Sequence, residues 1–221
     1  MPRDVKTHRG LTTEVVVDAA LRLADAGGID AVSLRRLATD LDVTPMAIYR
    51  HVRDKAQLLD LMADRLLTQL DLPPPSDPTW QESLRRVATG FLAIVQQHPA
   101  APFLLARPFE SVAALRVSES LLAILARAGF APAEAVRLMQ VLTGMLLGPA
   151  IHRATYAAAW RDRPPGVAAE ASTALPAAEF PHLSEVAEHL MDWSAGPELD
   201  RLLIDLWVAG VETLAAREQR K

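Results

Sequence analysis

The chain has 221 residues, half of them hydrophobic, with no cysteine and a net charge of −4. That length holds one large domain, or a small one joined to a larger one, with enough apolar side chains for a sizeable core and an oligomer interface besides. The composition excludes disulfides, thiolate zinc sites and thiol nucleophiles, and no apolar run is long enough to cross a bilayer as a helix.

The first residues lack the apolar centre of a signal peptide, so a cytoplasmic protein with no membrane partner is expected. Residues 1–70 are charge-balanced and the acidic excess lies beyond them. Binding to nucleic acid would therefore rest on a local basic cluster, not on the field of the whole chain.

Leu11, Val15, Val16, Ala19, Ala20 and Leu23 recur at helical spacing and predict a first helix over about 12–26. Gly27-Gly28 ends it, because glycine accepts left-handed geometry. Ser33 is a suitable cap for a second helix over 34–41, whose Leu34, Leu37, Ala38 and Leu41 share a face. Asp42-Val43 forms a short turn. Thr44 caps a third helix with Pro45 at its first position, where a missing N–H costs nothing. Asp54 opens a fourth helix, with Gln57 placed as a capping box requires and Leu58, Leu59, Met62, Leu66 and Leu70 as its apolar stripe.

Four prolines between Leu72 and Pro78 break the pattern and mark a boundary. Beyond it, helices are predicted at about 79–97, 110–128, 133–160, 182–193 and 197–217, with a shorter piece at 101–107 and a loop over 161–181. Gly144, Gly148 and Pro149 fall inside one of these helices and predict a kink beside a cavity. The whole chain reads as all-α: an N-terminal three-helix helix-turn-helix domain (1–54), a connecting helix (55–72), and a larger C-terminal helical domain (73–221) for ligand binding and dimerisation.

The segment from Leu34 to Val52 carries the functional signal. Leu37, Ala38, Leu41, Val43, Ile48 and Val52 can face inward together and fix two helices across a tight turn. Thr44, Pro45, Ala47, Tyr49, Arg50 and His51 then point outward on a helix of the size that enters a major groove. A solvated basic face is the competing reading for Arg50, Arg53 and Lys55, and a capping or core role competes for His51.

Leu34-Arg35, Leu37-Ala38, Leu41, Ile48-Tyr49-Arg50-His51-Val52, Lys55 and Leu58-Leu59 stand at fixed spacing, and the run from Val32 to about Leu67 resembles the DNA-binding domain of the tetracycline-repressor (TetR) family. The resemblance implies a transcriptional regulator, not an enzyme: a repressor that binds a palindromic double-stranded operator as a homodimer and is released by a small-molecule effector. It places Arg35, Thr44, Pro45, Met46, Ala47, Tyr49, Arg50, His51 and Lys55 near bases or adjacent phosphates. Asp42 stands where the family often has glycine, and Thr44 to Ala47 differ from the tetracycline repressor, so a different operator is expected.

In the C-terminal half, the helices at 133–160 and 197–217 are apolar on more than one face. Either they are wholly buried, or they cover core on one side and a two-fold partner on the other, as the family resemblance implies. The same resemblance places an effector pocket among the middle helices. Candidate lining residues are His98, Phe103, Arg107, Phe109, Gln140, Thr143, His152, Tyr156 and Trp160, although Phe103 and Phe109 also suit a plain core. No metal-ligand spacing is evident and no cofactor is expected. The tetracycline repressor takes a magnesium-chelated drug, but these residues carry nothing that extends this to the present chain. The carboxylates Asp162, Glu170 and Glu179 fall in the predicted loop, but no nucleophile–base set or phosphate loop appears, which argues against an enzyme.

Overall fold

The computed structural model describes residues 10–74, 77–108, 111–160, 176–186 and 196–218, and the regular structure among them is helical throughout. The N-terminal part comprises α1 (Thr13–Gly27), a 3-10 turn (Ile29–Ala31), α2 (Leu34–Asp40), α3 (Pro45–Tyr49) and α4 (Lys55–Leu67). The larger part comprises α5 (Trp80–Gln97), α6 (Ala101–Leu105), α7 (Val112–Arg127), α8 (Pro132–Trp160), α9 (Pro181–Glu185) and α10 (Gly196–Glu218).

Local chemistry sets the N-terminal helix boundaries. Thr12, Ser33, Thr44 and Asp54 each hold an extended backbone and accept a hydrogen bond from the N–H three residues on, which satisfies a donor the helix leaves orphaned. Gly28 stops α1 at a φ of 79° while its N–H returns to the Ala24 carbonyl. The turn between α2 and α3 runs through Asp42 at a φ of 51°, the one non-glycine residue with positive φ among the described residues. A short polar side chain tolerates that geometry better than most, which is how aspartate stands in for glycine here. The Asp54 cap departs from a regular capping box. The Gln57 amide oxygen accepts from the Arg53 N–H at 2.7 Å, one residue further out than Asp54.

Val16, Ala20, Leu37, Ile48, Val52, Leu58 and Met62 are buried together in the N-terminal part, and the core continues without interruption through Leu66, Leu84, Leu104 and Leu125 to Trp207. The proline segment is thus a boundary in the chain but not in the core. α4 bridges it: Leu58 and Met62 serve the small part, and Leu66 and Leu67 serve the large one.

The helix expected at 133–160 is present as α8, which continues through Gly148 and Pro149, so the lost proline N–H removes a hydrogen bond without ending it. Of the helix predicted at 182–193, only the five residues of α9 are helical among those described, and 187–195 lie outside them. Most of the loop predicted at 161–181 also lies outside the described residues.

Candidate functional site

α2 and α3 cross with Leu37, Ala38 and Ile48 buried between them and α1. The opposite side of α3 is open. Met46 is 68 % exposed and Tyr49 is 48 % exposed, and Thr44, Pro45 and Arg50 are exposed beside them, with Ala47 half-buried. Arg35 is exposed on α2. The side chains of Arg35 and Arg50 have no ion-pair partner among the described residues. Large apolar side chains held in water without a covering element cost free energy, and they recur where a partner surface docks.

The remaining two predicted contacts are partly engaged. His51 is half-buried, with its Nδ1 3.4 Å from the Thr13 hydroxyl, and so ties the end of α3 to the start of α1. Lys55 donates from Nζ to the Ile29 carbonyl at 3.1 Å, closing the 3-10 turn. An ammonium carries three donors, so this bond leaves two for a phosphate. Lys55→Met is expected to lower thermal stability by about 1 kcal/mol. It should also reduce the salt slope of DNA binding by about one if a phosphate contact is lost with it. Melting curves and a salt titration read the two effects separately. Nearby, Glu14 in the first turn of α1 has its carboxyl held below the usual carboxylate range, chiefly by the hydrogen bond with Thr12.

The large part holds a partly open cavity of about 360 Å³. Leu67 at the end of α4 and Leu70 just beyond it line it, with Val87 and Phe91 of α5, Leu105 of α6, Ser118 and Leu121 of α7, Met139 and Leu146 of α8, and Trp207 of α10. Gln140 and Thr143, both expected at a pocket, also line it. Met139, Gln140, Thr143, Leu146 and Leu147 recur at helical spacing, so they present one stripe of α8. The stripe ends just before Gly148-Pro149.

The other expected pocket residues lie elsewhere. The His98 Nδ1 is 2.8 Å from the Asp25 carboxylate, which also accepts from the Ala100 N–H at 3.2 Å. Arg107 sits 3.4 Å from Asp60. Both residues are therefore drawn to carboxylates of α1 and α4, away from the cavity wall. Phe103 faces outward at 37 % exposure. His152 and Tyr156 stack with ring centroids 6.0 Å apart, two turns beyond the α8 stripe. Phe109 and the side chain of Trp160 lie outside the described residues.

Sequence reasoning missed Leu67, Leu70, Leu105, Ser118 and Trp207. The apolar periodicity of the four hydrophobic ones signalled burial but not a void beside them, and nothing in the sequence marked Ser118. Among the described residues, no three His, Asp or Glu side chains gather as metal ligands, and no helix is long and apolar enough to cross a membrane.

The two halves are joined by more than the chain. Besides the Asp25 and Asp60 contacts, Asp64 of α4 accepts from the Ala113 N–H in the first turn of α7 at 3.3 Å, where a carboxylate also meets the positive end of the helix. Carboxylates of α1 and α4 thus hold both flanks of α6 and the start of α7, and α6 contributes Leu105 to the cavity.

Two family models match the chain. The one for "Bacterial regulatory proteins, tetR family" covers residues 16–62, and the one for "Tetracyclin repressor-like, C-terminal domain" covers residues 72–199. The chain is 29 % identical to the HTH-type transcriptional repressor DrrR1 of Streptomyces coeruleorubidus, over 95 % of this chain and 80 % of that protein. It is 30 % identical to the class D tetracycline repressor protein of Escherichia coli, over 85 % of this chain and 83 % of that protein. The crystal structure of ActR from Streptomyces coelicolor in complex with actinorhodin has a similar fold, with a TM-score of 0.73 at 24 % identity, covering 93 % of this chain and 99 % of that one.

Proposed function

Because the chain belongs to the tetracycline-repressor (TetR) family of bacterial transcriptional regulators, we propose that it represses from a palindromic operator as a cytoplasmic homodimer and lets go when a small molecule fills the C-terminal cavity. Residues 1–54 form the DNA-binding unit, 55–72 the connecting helix, and 73–221 the effector and dimerisation unit. Arg35, Thr44, Pro45, Met46, Ala47, Tyr49, Arg50, His51 and Lys55 meet the DNA. Of these, Tyr49, His51 and Lys55 engage the phosphate backbone, and Arg35 and Arg50 engage base edges. An arginine reading guanine through two hydrogen bonds is worth about 1–3 kcal/mol of discrimination.

The observation that carries this reading is the double duty of α4. Its first half packs in the helix-turn-helix core and its end, at Leu67, forms part of the cavity wall. A ligand that displaces Leu67 therefore acts on a helix that also packs against α1 of the N-terminal part. Release follows only to the extent that the ligand prefers the displaced arrangement.

Dimerisation supplies the second recognition helix. Two such helices must stand about 34–36 Å apart to read successive major grooves. The apolar side chains Leu202 and Leu206 on α10 are 54 % and 58 % exposed, and Val141 on α8 is also open, which supports a face built for a second copy. The substitutions Leu202→Glu and Leu206→Glu, made together, are expected to convert a dimer to a monomer in sedimentation velocity. Because both side chains are exposed, helical content should persist.

The function is tested by selecting duplexes from a random DNA pool. A two-fold symmetric sequence should be enriched, bound far more tightly than bulk DNA, with affinity falling steeply as salt rises. A pool that yields no preferred sequence overturns the proposal.

A further inference from the structure

Among the described residues that line the cavity, none is Asp, Glu, Lys, Arg or His. We propose that it takes an uncharged organic molecule with an aromatic or hydrocarbon body and a carbonyl- or hydroxyl-bearing edge, and that this molecule enters without a chelated metal. The proposal rests on the cavity being the effector site, and deepens that reading by naming the ligand class.

Most of the wall is apolar. Val87, Phe91, Leu121, Leu146 and Trp207 are all buried, and they offer dispersion and hydrophobic contact to a flat or elongated body. A charged group brought against them would lose hydration and find no counter-ion. A magnesium chelate is a particularly poor fit. That ion needs oxygen ligands in near-octahedral array, at least one of them usually a carboxylate, and the described residues of this wall supply no carboxylate. The kinship with tetracycline repressors thus does not extend to a site for a metal-chelated drug.

The polar groups in the wall are neutral. Ser118, Gln140 and Thr143 line the same cavity, the last two one helical turn apart on α8. The side chains of Ser118 and Gln140 make no hydrogen bond among the described residues. The Thr143 hydroxyl donates to the Met139 carbonyl at 2.8 Å, which leaves its oxygen to accept. Together they offer both donors and acceptors to the edge of a ligand. The Trp207 indole N–H is buried without an acceptor among the described residues. Trp207 lines the cavity, so this unpaired donor is available to a ligand carbonyl. A cavity of about 360 Å³ is within the range that encloses drug-sized molecules.

Three probes test the assignment on the full-length protein. Nile red is a neutral fused-ring ketone, pyrene a plain hydrocarbon, and tetracycline with magnesium a metal chelate. Nile red emission is expected to rise and saturate on titration, unchanged by EDTA. The double variant Gln140→Leu, Thr143→Val should weaken Nile red about tenfold while leaving pyrene nearly unaffected, because only the ketone loses hydrogen bonds. Ala114→Phe, which fills the cavity, should abolish both. Circular dichroism checks its folding, and the double variant, changed only at exposed positions, carries the test if Ala114→Phe does not fold. Saturable quenching of tryptophan emission by tetracycline that requires magnesium, with displacement of Nile red, would overturn the proposal. So would dye binding indifferent to all these substitutions. Operator binding is measured separately without dye. If it fails, the regulatory reading falls, and the dye titrations still decide what the cavity accepts.

Discussion

Replacing Tyr49 and Arg50 together by alanine should remove sequence-specific DNA binding while the protein stays folded. Both side chains are exposed on the open side of α3, and neither makes a hydrogen bond or ion pair among the described residues. Removing them breaks nothing in the folded chain, so the melting temperature should move little. Each lost contact to a base or phosphate is worth about 1–3 kcal/mol, so operator affinity should fall on the order of 10²-fold or more. Fluorescence anisotropy with the selected operator measures the loss. A variant that binds as tightly as the parent would show that α3 is not the reading helix.

The neighbouring side chain should behave in the opposite way. Ile48 is fully buried, packed with Leu37 and Val52 against α1. Ile48→Ala is expected to cost about 2–5 kcal/mol, from lost burial and the cavity left behind. A small domain has little stability in reserve, so the helix-turn-helix should melt early. DNA binding would be lost with it, through unfolding and not through a missing contact. Differential scanning calorimetry with and without operator separates the two causes: saturating DNA should restore part of the melting temperature of Ile48→Ala by mass action, and none of that of the Tyr49 and Arg50 variant. The opposite outcomes at positions 48 and 49 follow from a single turn of helix that puts one side chain inside and the next outside.

The cavity and the candidate DNA face are linked by α4, which starts beside α3 and ends at the cavity wall. Leu67 and Leu105 stand at the cavity. Asp60 and Asp64 on α4 grip the segments either side of the α6–α7 connection, and Asp25 on α1 holds its other flank through His98 and the Ala100 N–H. Packed helices tied at several points move as units, not as soft matter. A shift of α6 is therefore passed to α1 and α4 and is not absorbed between them.

The sequence by itself determined the all-helical architecture, the caps at Ser33, Thr44 and Asp54, the short turn at Asp42-Val43, and the inward and outward sides of α3. These depend on hydrogen bonds three or four residues apart and on one apolar stripe per helix, so local order carries them. Tertiary structure alone decided the cavity. Its wall draws on Leu67, Phe91, Leu105, Ser118, Gln140 and Trp207, residues spread over most of the chain and contributed by different helices. It also decided that His98 and Arg107, polar groups that suit a pocket by type, would be spent on Asp25 and Asp60. A periodic pattern shows that a side chain is buried. What it is buried against, and whether a gap remains there, is set by how distant helices cross, and no local spacing encodes that.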